Sequence, residues 1–120
     1  MKTILVVEDN KLNMKLFHDL LCAHGYQVLQ AEEGLIGLRL ARERHPDLIV
    51  MDIQLPDMSG LEVTQRIKED DGLRNIPIMA VTAFAMRGDE VRIREAGCDA
   101  YMAKPIDVRR FLKSLQTLLA

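Results

Sequence analysis

Five polar side chains sit where apolar runs end. Glu8 and Asp9 follow the run Thr3–Val7, and Asp52 follows Leu48–Met51. Thr82 follows Ile76–Val81, and Lys104 comes just after Asp99–Met102 and just before Pro105. An apolar strand that ends by delivering a carboxylate needs something to balance it, because a buried unpaired charge is costly. Three acids, a hydroxyl and one ammonium balance one another if they meet. Such a pocket is net negative and attracts a divalent cation. Carboxylate oxygens with room for water suit Mg²⁺, which takes octahedral oxygen coordination at about 2.0–2.1 Å. No cysteine or histidine lies at these positions, which argues against zinc. Beside such a cation, the Asp52 carboxylate is placed to attack a phosphoryl group and form an acyl phosphate. Lys104 then pairs as a point charge with one phosphoryl oxygen, and Thr82 donates a hydrogen bond to another.

Each of these residues has an ordinary explanation when taken alone. An acid after a strand is commonly a helix cap or a solvated loop residue, a Thr there is commonly a turn former, and a Lys before Pro is commonly just exposed. The functional reading rests on their coincidence. In an open parallel sheet, ligands bind outside the carboxyl ends of the strands, and all five residues fall at such ends.

The elements that must deliver them alternate along the chain. After Thr3–Val7, Asn10–His24 has helical spacing with Leu16, Phe17, Leu20 and Leu21 on one face, and Gly25 stops it. Gln27–Ala31 is a weaker strand. Glu33–Arg44 is helical with Leu35, Leu38 and Ala41 facing inward, and it ends at His45-Pro46. Ser59 caps a helix to about Asp70, with Glu62 placed as in a capping box. Gly88–Ala96 is helical and Gly97 stops it. Asp107 caps a last helix whose Val108, Phe111, Leu112 and Leu115 keep the i, i+3, i+4, i+7 pattern. Five strand–helix alternations predict an α/β fold, a doubly wound parallel sheet with helices on both faces.

Bulk properties narrow the function. The 120 residues suit one domain spanning the chain, with the final helix leaving no room for an output domain. Apolar residues make up 48% of the chain, which is enough for a packed core. The net charge of -2 gives no electrostatic reason to expect nucleic acid or an anionic membrane as partner. No apolar run approaches a membrane span, and no secretory signal precedes Thr3. Cys22 and Cys98 fit a reduced cytoplasm and read as small buried hydrophobes. His18, His24 and His45 lie away from the strand ends and carry no expected role.

The motifs "VVEDN" at 6–10, "DLIVMDIQLPDMSG" at 47–60, "AVTAFA" at 80–85 and "YMAKPI" at 101–106 together resemble the two-component response-regulator receiver domain over the whole chain. That resemblance implies the five-stranded sheet order 2-1-3-4-5 of CheY-like proteins. It implies Asp52 as phosphoacceptor, Asp9 as a direct Mg²⁺ ligand, Glu8 acting through water, and the Gln54 backbone carbonyl completing the metal ligands. Thr82 and Lys104 contact the phosphoryl group, Tyr101 is the aromatic switch partner of Thr82, and Pro105 follows a cis bond. Within that family, "EDNKLNMKLFHDLL", "SGLEVTQRIKEDD" and "AVTAFAMRGDEVRIREAGC" are similar to single-domain regulators of cell division and polarity in alphaproteobacteria. The implied partners are sensor histidine kinases and histidine phosphotransfer proteins. The implied location is the cytoplasm, with recruitment to a cell pole by partner kinases. A monomer is the expected state, with a dimer as the alternative.

Two surfaces follow. Phe84-Ala85-Met86 is unusually apolar beside Thr82 and, with Tyr101, predicts a partner contact. Leu12 and Met14 lie about a quarter turn to either side of the core face of the first helix and flank the expected kinase docking surface. Phe84 also stands two residues after the switch Thr, where it offers nothing to orient a water, so slow self-dephosphorylation is expected. Against this signalling module stand three other classes. A phosphorelay shuttle would mainly pass phosphoryl groups between histidines. An aspartate-nucleophile phosphatase usually needs a second acid two residues after the nucleophile, where Gln54 cannot serve. A flavin binder needs a Ser/Thr/Gly-rich loop after strand one, where "EDNKLN" is acidic. No independent enzyme is expected, only catalysis of the domain's own phosphorylation and slow autodephosphorylation.

Overall fold

Apolar runs become strands and amphipathic runs become helices in strict alternation, in a computed structural model that describes residues 1–83 and 89–120. The order is β1 (Thr3–Val7), α1 (Lys11–Ala23), β2 (Gln27–Ala31), α2 (Gly34–Arg44), β3 (Leu48–Asp52), α3 (Gly60–Glu69), β4 (Ile78–Thr82), α4 (Asp89–Glu95), β5 (Ala100–Ala103) and α5 (Val108–Leu119). All strand pairs are parallel and the sheet order is β2-β1-β3-β4-β5. The chain switches direction of growth at β1, between β2 and β3, which opens a crevice at the carboxyl ends of β1 and β3.

Alternate residues of the central strands feed two cores. Leu5, Val7, Ile49, Met51, Ile78 and Ala80 face α2, α3 and α4. Ile4, Val6, Leu48, Val50, Met79 and Val81 face α1 and α5. Phe17 of α1 and Phe111 of α5 meet with ring centroids 5.5 Å apart. That contact fastens the two helices together across the sheet face. Because both faces are covered, β3 and β4 are buried at every position.

Local signals set the boundaries. Asn10 caps α1 by accepting from the Asn13 amide, and Asp107 caps α5 by accepting from the Arg110 amide. Ser59 caps α3 by accepting from the Leu61 amide, while Glu62 turns to Arg66 (3.6 Å) in place of the reciprocal arm of a capping box. Gly25 (φ 86°) and Gly97 (φ 109°) follow α1 and α4. Both take the left-handed region that glycine favours, which ends each helix.

Several expectations need correcting. The core stripe of α1 runs through Met14, Phe17 and Leu21, a rotation of roughly 60° from a stripe centred on Phe17 and Leu20. Leu16 is therefore 46% exposed, and Met14 is buried in the core at 6%. On α2 the inward face is Gly34, Gly37, Leu38 and Ala41, so Leu35 points to solvent. Hydrophobicity alone overlooks that face because two of its members are glycines, which let α2 approach closely. A Cβ at Gly37 would lie 2.8 Å from Val7 Cγ2. Cys98 is buried as expected, but Cys22 is exposed on the outer side of α1. The strands after α3 and α4 begin one or two residues later than the apolar runs indicate. Among the described residues, no helix is long and apolar enough to cross a membrane.

Candidate functional site

The carboxyl ends of β1, β3, β4 and β5 bring the five polar residues to one edge. Glu8 leaves β1 with its backbone held to Ala31 (2.9 Å), which keeps its side chain on the crevice side. Asp52 is the last residue of β3 and Thr82 the last of β4. The Lys104 amide donates to the Thr82 carbonyl at 2.7 Å, which continues the β4–β5 ladder one step beyond β5 and anchors the lysine backbone there. A cis peptide joins Lys104 to Pro105, as the resemblance implied.

The side chains are packed against one another. Lys104 Nζ lies 2.7 Å from Glu8 Oε1 and 3.4 Å from Asp52 Oδ2. Glu8 and Asp52 are almost wholly buried, while Asp9 is exposed at the mouth. The Gln54 amide donates to Asp52 Oδ1 (3.1 Å), and the Asn10 amide donates to Glu8 Oε2 (3.3 Å). Glu8, Asp9 and Asp52 each offer an oxygen within 4.8 Å of the others. Thr82 is buried beside them.

The electrostatics follow from two buried acids, Glu8 and Asp52, sharing one lysine, Lys104. Burial and the neighbouring Glu8 carboxylate push the Asp52 carboxyl up to about 7, against the opposing pull of Lys104 and the Gln54 amide. For Glu8, burial raises the pKa, but hydrogen bonds with Asp52 and Lys104, the Lys104 charge and the Asn10 amide outweigh it and hold the group below the usual carboxylate range. The pair therefore shares its proton on the Asp52 side. A site in which burial and a neighbouring carboxylate leave Asp52 protonated is one that a divalent cation would relieve by drawing the charge of both carboxylates. The donor set among the described residues fits that ion: three carboxylates, no thiolate or imidazole, and one exposed member open to water.

The loop between β3 and α3 closes tightly under Asp52. The Gly60 amide donates to the Ile53 carbonyl (2.8 Å), and Gln54 and Ser59 form an antiparallel bridge. A Cβ on Gly60 would lie 2.0 Å from the Asp52 carbonyl oxygen. Only glycine, with no side chain, lets α3 start this close to the end of β3. Glycine as the first residue of a helix was the available signal for this role, and the cap at Ser59 masks it in a reading by motif.

The remaining expected residues are less closely placed. Tyr101 is half-buried on β5, and its hydroxyl donates to Glu90 Oε2 of α4 at 3.5 Å. Leu12 is 79% exposed and lines a shallow apolar groove on α1 with Leu16, Leu20 and the Lys15–Asp19 ion pair. Met14, expected to flank the docking surface with Leu12, is almost wholly buried and does not line that groove, because it belongs to the α1 core stripe. Phe84 and Met86 lie outside the described residues.

Comparison with known proteins decides the family. The model of the response regulator receiver domain matches residues 4–116. The chain belongs to that family. Over 98% of its length this receiver is 59% identical to the polar-differentiation response regulator DivK of Brucella ovis, and the match spans 96% of that protein. Among solved structures, the receiver resembles the receiver domain of a sensor histidine kinase from Pseudomonas aeruginosa, crystallised with a magnesium ion coordinated in the active site cleft. That likeness has TM-score 0.91, 34% identity, and coverage of 98% of this chain and 97% of the other. It also resembles the chemotaxis protein CheY4 of Vibrio cholerae, with TM-score 0.93, 25% identity and coverage of 99% of each chain. The 2-1-3-4-5 receiver fold read from the motifs is the fold observed.

Proposed function

We propose that this receiver accepts a phosphoryl group from the phosphohistidine of a sensor histidine kinase onto Asp52, and that the new charge changes its binding to partner kinases governing cell division and polarity. The observation that carries the reading is Asp52 itself, buried at the end of β3 with Lys104 Nζ at 3.4 Å and two further acids within metal-ligating reach. A carboxylate in that setting is shielded from water yet open at the crevice. The likeness to DivK supports the cell-division and polarity role.

Asp9 and Asp52, with Glu8 behind them and the Gln54 carbonyl beside them, would hold Mg²⁺, which when bound offsets the negative charge of the incoming phosphoryl group. Ionised Asp52 attacks phosphorus as the histidine nitrogen leaves, which gives an aspartyl phosphate. Lys104 exchanges part of its pairing with Glu8 and Asp52 for a phosphoryl oxygen, and Thr82 donates to another. Tyr101, tied to Glu90 at its hydroxyl, is the side chain expected to move as Thr82 is drawn in. Its movement alters the surface formed by α4 and β5. Exposed Leu12, on the first turn of α1 beside the acids, is the expected contact for the kinase helices.

The test follows the label. Phosphorylated histidine kinases are incubated with wild type and with Asp52→Asn in Mg²⁺, and each kinase's own activity is assayed. Label on wild type alone, with a change in kinase activity, is the expected result. Label that passes promptly to another histidine with no effect on any kinase identifies a relay shuttle instead. Absence of label on wild type overturns the assignment of Asp52.

A further inference from the structure

Helix α2 is capped from a distance. Its own N-cap residue, Glu33, makes no side-chain cap bond. The first two helical amides are instead taken by Asp57, which lies 22 and 23 residues further along the chain. Gly34 N donates to Asp57 Oδ1 at 2.8 Å, and Leu35 N donates to Oδ2 at 3.0 Å. Both carboxylate oxygens are used, each on a separate orphan donor of the helix end. Those two hydrogen bonds hold the Asp57 carboxyl below its usual range. Next to it, Gly34 packs so closely on Met58 that a Cβ there would come within 2.6 Å of Met58 Cγ.

Asp57 stands at the tip of the loop whose base carries the Gln54–Ser59 bridge. The base is fixed by backbone bonds, and Asp57 fixes the tip to α2. In turn α2 is seated on β1 through Gly37 and Val7, immediately before Glu8. One helix thus holds both arms of the acidic site, the end of β1 and the loop after β3. The link from that loop to chemistry is the Gln54 amide, which donates to Asp52 Oδ1.

We propose that Asp57 is a positioning residue for phosphoryl transfer: by capping α2 it fixes the 53–59 loop, and with it the Gln54 peptide that orients the Asp52 carboxylate. The inference rests on the phosphoacceptor reading of Asp52 and adds a residue that the motif did not single out. A tether of two charge-assisted bonds is strong for a surface loop; without it the Gln54 peptide is held by the base bonds alone, and the Asp52 carboxylate it orients loses part of the precision a cation or phosphoryl group requires.

The experiment separates positioning from plain helix stability. Glu33 has extended backbone angles, φ -136° and ψ 157°. Those are the angles of a conventional N-cap, so a Glu33→Ser change supplies α2 with a local cap. Mg²⁺ is titrated calorimetrically into wild type, Asp57→Asn, Asp57→Ala and the double variant Asp57→Ala/Glu33→Ser. The Gln54 amide resonance and the melting temperature are recorded for each, together with labelling by a small acyl phosphate. Asp57→Ala is expected to weaken Mg²⁺ binding about tenfold and shift the Gln54 amide, and Asp57→Asn about threefold, since it keeps one acceptor. The double variant is expected to regain melting temperature while Mg²⁺ binding stays weak. Recovery of Mg²⁺ affinity along with melting temperature overturns the proposal, because the cap then acts only through the helix. So does wild-type affinity and an unmoved Gln54 amide in Asp57→Asn and Asp57→Ala. Should Asp57→Ala not fold, Asp57→Asn alone decides by the same two readouts. A wild type that binds Mg²⁺ and takes label, beside variants that do both equally well, removes only this inference. A wild type that does neither removes the phosphoacceptor reading beneath it.

Discussion

At the scale of single residues, the pocket is governed by a mismatch of charge. Glu8 and Asp52 share the Lys104 ammonium, and burial together with the Glu8 carboxylate raises the pKa of Asp52 to about 7. The linkage has a definite sign. Unfolded, Asp52 loses its proton near pH 4; folded and metal-free, it keeps that proton to about pH 7. The folded state therefore binds more protons between those values, and stability falls as pH rises across that window, then stays level. Asp52→Asn has no charge to lose. It is expected to match wild type below pH 4, to gain on it from pH 4 to 7, and to remain more stable by about 1–3 kcal/mol above pH 7. Urea unfolding in EDTA at pH 4, 5.5, 7 and 8.5 measures the difference. A gain that shrinks with rising pH would contradict the shared-proton account of Glu8 and Asp52.

Elements impose the distances that those residues need. The start of α3 lies against the end of β3 only because Gly60 has no side chain, with a hypothetical Cβ 2.0 Å from the Asp52 carbonyl oxygen. The atom in the way is backbone and cannot swing aside. Gly60→Ala is expected to destabilise by about 2–3 kcal/mol. Gly72→Ala is a fair comparison, since its Cβ would sit 3.4 Å from the nearest atom, Asp70 Oδ1. It should change stability by less than about 0.5 kcal/mol. The two urea midpoints test this directly. The outer face of α1 carries a different prediction. Leu12 is 79% exposed and contributes nothing to the core. Leu12→Asp should leave the melting temperature and labelling by a small acyl phosphate unchanged, while phosphotransfer from a histidine kinase slows by about tenfold or more. Equal loss with both donors would place its effect in the pocket and not in docking.

For the whole molecule, the site is one edge of a sheet whose two faces are covered by separate helical layers. The α1–α5 layer and the α2–α3–α4 layer touch the site from opposite sides. A cation bound at the crevice draws on groups from β1 and β3 together, so it binds the folded chain and not the unfolded one. Mg²⁺ should then stabilise the entire domain by mass action, about 1.4 kcal/mol at ten times its Kd. The stabilisation should reverse with EDTA and be much smaller in Asp52→Asn. Thermal melts over a Mg²⁺ series check it, and a wild-type melting temperature blind to Mg²⁺ would show that the three acids do not act as one site.

The sequence by itself determined the alternation of elements and the convergence of Glu8, Asp9, Asp52, Thr82 and Lys104. Both follow from local information: apolar periodicity, caps such as Asn10 and Asp107, and the rule that parallel strands end on one side. The receiver motifs added the sheet order. Tertiary structure decided what depends on how closely elements approach. Gly34 and Gly37 mark the buried face of α2, and no hydropathy pattern registers a glycine as a contact. Met14 rather than Leu20 leads the α1 stripe, because the tilt of a helix on its sheet sets which residues of a wide apolar face are covered. The Asp57 cap was illegible for a simpler reason. Its donors stand more than twenty residues earlier in the chain, and only the packing of α2 beside the β3–α3 loop brings the helix end to the carboxylate.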